Sequence, residues 1–128
     1  MSMESSKQLI KVLCGTAVLA LAACASPQKA PATADVAVSR NAVENAVSAG
    51  AAELAPQELT VARTKMMRAN QALAAKDYKL ARELAVQAQA DAKLAQSKAT
   101  SAKANAAADA LQEDIRVLRE EVERARQP

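Results

Sequence analysis

Large aromatic side chains are almost absent from this chain, which contains one tyrosine, Tyr78, and neither phenylalanine nor tryptophan. Aromatic side chains supply much of the area that compact cores bury. Alanine, about a quarter of the residues here, buries little surface per side chain. Alanine and the other residues that favour helices, Leu, Gln, Glu, Lys and Arg, make up most of the sequence. We therefore predict an elongated, all-α protein.

The first predicted helix runs from about Asp35 to Glu53. Its apolar residues recur at spacings of seven, four and seven, which places them on one face: Val36, Val43, Val47 and Leu54. Pro56 disfavours helical geometry in the residue before it and suits the first position of a new helix. The second helix is therefore predicted from Pro56 to about Ala75.

The second helix carries an apolar stripe with strict three- and four-residue steps: Leu59, Ala62, Met66, Ala69 and Leu73. Asp77 is suited to cap a third helix, which then continues from Tyr78 almost to Arg126 without a proline or glycine. Its length is on the order of 70 Å. The expected fold is a short up-down-up three-helix bundle or hairpin, whose last helix extends into a coiled-coil-like segment.

The apolar pattern changes near the C-terminal end of this helix, where a heptad repeat begins. Its five core residues, called the seam below, are Leu111, Ile115, Leu118, Val122 and Ala125. β-branched residues at a and leucine at d favour a parallel two-stranded coiled coil. The flanking g and e positions hold residues of opposite charge: Asp114 and Glu121 at g, Arg119 and Arg126 at e.

Two interpretations of the seam stay open. A coiled coil is usually assigned over three or four heptads, and the seam spans two. Glu120 with Arg124, and Arg119 with Glu123, are also spaced for pairing within one helix. The seam is therefore either a surface for self-association or part of a segment that stays single or docks on another protein.

The N-terminal segment has the order of a secretory signal peptide, with Lys7 and Lys11 before an apolar run from Val12 to Ala23. As a helix this run reaches only about 18 Å, less than the ~30 Å hydrocarbon core of a bilayer. It ends in Leu21-Ala22-Ala23-Cys24, which resembles the lipobox of bacterial lipoproteins.

This resemblance implies cleavage between Ala23 and Cys24, a diacylglycerol on the Cys24 thiol and an acyl chain on the new amino terminus. Secretion with a free Cys24 is the alternative. In such lipoproteins an aspartate after the cysteine marks retention in the inner membrane, so Ala25 and Ser26 imply the outer membrane, facing the periplasm. The expected parts are a signal peptide (1–23), a lipidated cysteine with a flexible tether (24–34), an alanine-rich helical domain (35–104) and an amphipathic coiled-coil-like helix (105–128).

Catalysis is not expected of this chain. It contains no histidine, the commonest general base and metal ligand, and Cys14 would leave with the signal peptide. We expect no metal and no cofactor beyond the lipid on Cys24. Nucleic-acid binding is not expected either, because charges of both signs are interspersed and aromatic platforms are lacking.

Several stretches resemble a family of small Gram-negative lipoproteins, domain of unknown function 4398. They are Ala55-Pro56-Gln57-Glu58-Leu59, Ala62-Arg63, Ala72 to Tyr78, Ala81-Arg82 and Ala85 to Ala95. The resemblance covers residues 36–104 and implies the architecture without an activity. We expect a lipid-anchored structural or interaction protein of the cell envelope, a spacer or adaptor. The alternative is a helical binding module, such as a chaperone or accessory factor for envelope assembly or secretion.

The expected partners are membrane lipid through Cys24, and a second copy or an envelope protein through the C-terminal helix. Small alanine-rich lipoproteins that link the outer membrane to peptidoglycan end in a lysine, whereas this sequence ends in Arg126-Gln127-Pro128. Only non-covalent contact with peptidoglycan is therefore kept as an expectation.

Overall fold

The computed structural model describes residues 27–128, which fold into four helices without a strand. These helices are α1 (Lys29–Ser48), α2 (Ala51–Leu54), α3 (Pro56–Ala74) and α4 (Tyr78–Arg126). α1 and α4 run in the same direction, and α3 runs antiparallel to both. The all-α prediction, with a bundle of three main helices and a last helix that extends beyond it, is confirmed.

α1 begins six residues before the expected start at Asp35, so the tether predicted over 24–34 is helical from Lys29 onward. Pro31 lies in the first turn, where a helix needs no N–H donor and tolerates proline. Ala32 is fully buried, and this packing holds the first turn against the bundle. The signal peptide, the cleavage position and Cys24 lie outside the described residues.

α1 also ends earlier than predicted, at Ser48. Gly50 has φ +90°, a left-handed conformation that favours glycine, and it separates α1 from the single turn of α2. The predicted face is therefore partly wrong, because Val47 and Leu54 are 39% and 42% exposed. The buried residues of α1 are Ala32, Val36, Ser39, Ala42, Val43 and Ala46.

The turn between α3 and α4 matches its prediction. α3 starts with Pro56 and ends in a Schellman motif, in which the Asp77 N–H donates to the Ala72 carbonyl at 2.9 Å. Lys76 occupies the left-handed position of this motif, with φ +63°. The Asp77 carboxylate then accepts a hydrogen bond from the Leu80 N–H at 3.1 Å and caps α4.

The core is built from large side chains that face alanines. The buried stripe of α4 is Ala81, Leu84, Ala85, Ala88, Ala92, Ala95 and Ala99. Leu59 of α3 is 2% exposed and packs in one cluster with Ala92, Ala95 and Ala99. Along the predicted stripe of α3, Met66 and Leu73 are only half-buried. Because alanine is short, the helices approach closely and form a thin, tight bundle.

Three ion pairs link the helices along the bundle. Arg82 donates to Asp35 at 2.8 Å, and Lys65 lies 2.7 Å from Asp91. The third pair joins Lys98 to Glu58, and the hydrogen bond from Lys98 lowers the pKa of Glu58 below its ordinary value of 4.5.

Two ends of the bundle are distinguished below. The lower end carries the start of α1 at Lys29 and the turn at residues 75–77. The upper end carries Gly50 and α2, beside Lys103 of α4.

Candidate interaction surface

Residues 103–128 project from the upper end and are exposed throughout. They comprise the C-terminal part of α4 and the short tail that follows Arg126. α4 has 49 residues, and at 1.5 Å per residue the helix is about 73 Å long. About half of that length lies beyond Ala102, the last half-buried residue. The projecting segment makes no core contact within the described chain and is the part of the molecule that is free to meet another surface.

The predicted seam lies entirely on this segment. Its four large side chains, Leu111, Ile115, Leu118 and Val122, are 40–60% exposed, and Ala125 is exposed too. A shallow groove of about 520 Å³ runs along the seam, and its apolar lining consists of Ile115, Leu118 and Val122. These aligned large apolar side chains form a continuous exposed stripe, which makes the seam a candidate interaction surface.

Two sets of charged residues on the segment differ in their position relative to the seam. Arg116 donates to Glu113 at 2.6 Å and also pairs with Glu120, so that the pKa of Glu113 is lowered and that of Arg116 raised. These three residues occupy b and f positions, on the side of the helix opposite the seam. The pairs Glu120–Arg124 and Arg119–Glu123, expected from spacing, do not form in the described chain.

The residues that flank the seam are mostly left without ion pairs within residues 27–128. Asp114 and Glu121 at g, and Arg119 at e, form none, while Arg126 at the second e position makes a long contact of 3.6 Å with Glu123. The three- and four-residue steps between Glu113, Arg116 and Glu120 are the sequence signal for the ion pairs on the side opposite the seam, called the outer set. Sequence reasoning missed this set because Arg116 lies off the seam and its two flanking edges.

Three further properties of the described residues concern metal binding, grooves and membrane crossing. Residues 27–128 contain no group of three acidic, cysteine or histidine side chains that could hold a metal ion. A shallow groove of about 560 Å³ at the lower end is lined mainly by polar side chains, among them Gln28, Lys79 and Arg82. Within the described range, no helix is both long and apolar enough to cross a membrane.

The fold and this surface define an all-α protein with a compact base and a single projecting amphipathic helix. The family model described as "Domain of unknown function (DUF4398)" matches residues 34–111. This is more than half of the chain, and the chain belongs to that family. The match ends at Leu111, so most of the seam lies beyond it. No curated protein and no solved structure matches the chain.

Proposed function

We propose that this protein is a lipid-anchored spacer or adaptor of the outer membrane, without catalytic activity, that faces the periplasm. The observation that carries the proposal is the placement of the two functional ends. α1 starts at Lys29, at the lower end, whereas the seam lies beyond the upper end on α4. An anchor joined to the start of α1 and a partner bound to the seam are therefore held far apart.

The anchor is Cys24, as the Leu21-Ala22-Ala23-Cys24 pattern implies. Five residue steps separate Cys24 from Lys29, and an extended chain of that length spans at most about 18 Å. The early start of α1 therefore holds the lower end close to the lipid headgroups. Two or three acyl chains on Cys24 give durable anchoring, which one chain does not.

The reach comes from α4. With the lower end near the membrane and α1 parallel to α4, the projecting segment points away from the lipid surface when the bundle stands upright. The helix then places the seam several tens of ångströms into the periplasm. At that distance the tip of the spacer meets a second copy, and non-covalent contact with peptidoglycan is also part of this proposal.

A helical binding module is the second candidate, as a chaperone or accessory factor for envelope assembly or secretion. The exposed, unpartnered seam is the observation that favours it, because an amphipathic helix can dock in an apolar groove of a partner. The two candidates share the anchor and differ in what covers the seam. Cross-linking from the seam in cells separates them, since a stoichiometric partner of different sequence supports the binding module.

Labelling with a radioactive or clickable palmitate tests the anchor. We expect the wild-type chain to take up the label and to fractionate with the outer membrane, and Cys24→Ala to lose both properties. Cys14→Ala is the matched control, because Cys14 lies in the predicted leader and its replacement should leave the label unchanged. Undiminished labelling of Cys24→Ala would overturn the proposal.

A further inference from the structure

We propose that the seam is covered by a second copy of this chain, in a parallel coiled coil that extends from Ala104 to Ala125. The pairing itself rests on the exposure, placement and charges of α4. Its biological orientation, with both anchors in one membrane, rests on the proposed function.

The seam continues toward the bundle for a further heptad. Ala108 precedes Ile115 by seven residues and occupies an a position, and Ala104 precedes Leu111 by seven and occupies a d position. Both alanines are exposed, so neither is committed to the bundle core. The repeat therefore spans three heptads, the length at which a coiled coil can be assigned.

The seam faces away from the bundle. Helical residues advance by about 100° each, which places the four large side chains of the seam roughly 100° to 160° around α4 from the buried Ala99, with Leu118 nearest and Ile115 farthest. α1 and α3 pack on the Ala99 side of α4. A second copy can therefore approach the seam from the side away from α1 and α3, and in a parallel dimer the two bundles would lie level with each other on the outer sides of the paired helices.

The charges select the parallel arrangement. In a parallel pair, Asp114 at g faces Arg119 of the second copy at e, and Glu121 faces Arg126 in the same way. An antiparallel pair would set g against g and e against e, so that acids meet acids and arginines meet arginines. The unpaired state of Asp114, Glu121 and Arg119 within the described chain leaves them available for these contacts.

Arg116 on the outer face already has its ion-pair partners within each helix. Arg116 is occupied by Glu113 and Glu120, and these residues point away from the seam. The arginine of the outer face is thus paired within one chain, whereas the opposite face presents apolar side chains between complementary charges that are mostly unpaired within the described chain. A second copy supplies both the apolar contacts and the oppositely charged partners that this face lacks in a single chain.

Disulfide formation in cells tests this dimer with the full chain. In a parallel dimer, Leu111→Cys brings two thiols together at the d position, and we expect a disulfide-linked dimer after mild oxidation. Glu120→Cys, at the outer f position, is the matched control, and its dimer yield should be at least tenfold lower. Equal yields from the two variants, or no dimer from Leu111→Cys, would overturn the proposal.

Charge reversal provides a second readout that a damaged helix does not mimic. The double substitution Asp114→Arg and Glu121→Arg should lower the Leu111→Cys dimer yield at least tenfold. In the parallel dimer each new arginine would then face an arginine of the second copy, Arg119 or Arg126. Adding Arg119→Glu and Arg126→Glu should restore the yield. A yield that ignores both reversals contradicts the pairing.

The same cells also report on the anchor. If the Leu111→Cys chain takes up no palmitate but still forms the disulfide-linked dimer, the proposed function is contradicted and the dimer is supported. Labelling of Cys24 without cross-linking at residue 111 would contradict the dimer alone. Every variant retains Cys24. A disulfide formed through Cys24 would therefore appear to the same extent in the Glu120→Cys control.

Discussion

Leu59→Ala is the most informative perturbation of the bundle, because Leu59 is the largest fully buried side chain among the described residues. Its cluster consists mostly of alanines, which are too short to move into the space that truncation leaves. The substitution removes three carbon atoms, worth about 2.4 kcal/mol at ~0.8 kcal/mol each. The remaining cavity adds to this, so we expect a loss of about 3 to 4 kcal/mol in the free energy of unfolding.

That loss is large for a domain of this size. Stabilities of roughly 0.05 to 0.15 kcal/mol per residue give a bundle of about 75 residues some 4 to 11 kcal/mol in total. A loss of 3 kcal/mol should lower Tm by about 12 °C or more. Urea unfolding followed by the fluorescence of Tyr78, which packs against the lower-end core cluster, reports on the bundle and not on the projecting segment.

Leu94→Ala is the matched control, since Leu94 lies on the same bundle but is 49% exposed. Its cost should stay within about 1 kcal/mol, because leucine and alanine have similar helix propensities and little burial is lost. If Leu59→Ala costs no more than Leu94→Ala, the thin core does not depend on large side chains set against alanines, and our account of the packing is refuted.

Further variants test the caps, the ion pairs and the independence of the projecting segment. Asp77→Ala should cost about 1 kcal/mol in urea unfolding, because α4 loses its N-cap. Lys76→Gly should raise stability by about 0.5 to 1 kcal/mol, because glycine adopts the left-handed conformation with less strain. The hydrogen bond from Lys98 lowers the pKa of Glu58, so the contribution of this ion pair is complete well above pH 4.5 and is lost as the pH falls through the lowered pKa. Glu58→Gln should therefore destabilise the protein at neutral pH, and the destabilisation should shrink as the pH falls below 4.5. Deleting residues 111–128 should leave the urea midpoint of the bundle unchanged, and a lower midpoint would contradict the separation of the two parts.

The sequence predicts the α3–α4 hairpin well because local chemistry determines it. Pro56 can begin a helix but disfavours helical geometry before it. Asp77 supplies the acceptor that the first turn of α4 needs. These constraints act within a few residues, and the structure places both helix starts where they were predicted.

The first helix was harder to predict because its boundaries depend on packing and on one backbone angle. The tether predicted over 24–34 includes Pro31, yet the helix already begins at Lys29, and the burial of Ala32 stabilises its first turn. The valine spacing suggested a longer face, whereas the buried stripe of α1 includes alanines and Ser39. In an alanine-rich chain the contrast between apolar and polar positions is low, so periodicity alone locates the buried face poorly. Gly50 was the available signal for the earlier end.

The seam illustrates a different limit. Heptad spacing identified Leu111 to Ala125 from the sequence, and the structure shows these residues exposed. What the sequence alone did not show is their direction relative to the bundle, which depends on how α1 and α3 pack on α4. The exposure of Ala104 and Ala108, which precede Leu111 and Ile115 by one heptad, likewise comes from the structure. The second copy that we propose for the seam is inferred from the exposure of these residues and from the charges beside them.

The central claim is that the protein holds its tip away from the membrane that anchors it. The most direct test is energy transfer in vesicles that carry the lipidated chain and acceptor lipids, with a donor at Lys79→Cys or at Arg124→Cys. These positions are about 68 Å apart along α4. We predict strong transfer from residue 79 at the lower end and little from residue 124 at the tip. Equal transfer from the two positions would mean that the helix lies along the membrane, and would contradict the proposed spacer.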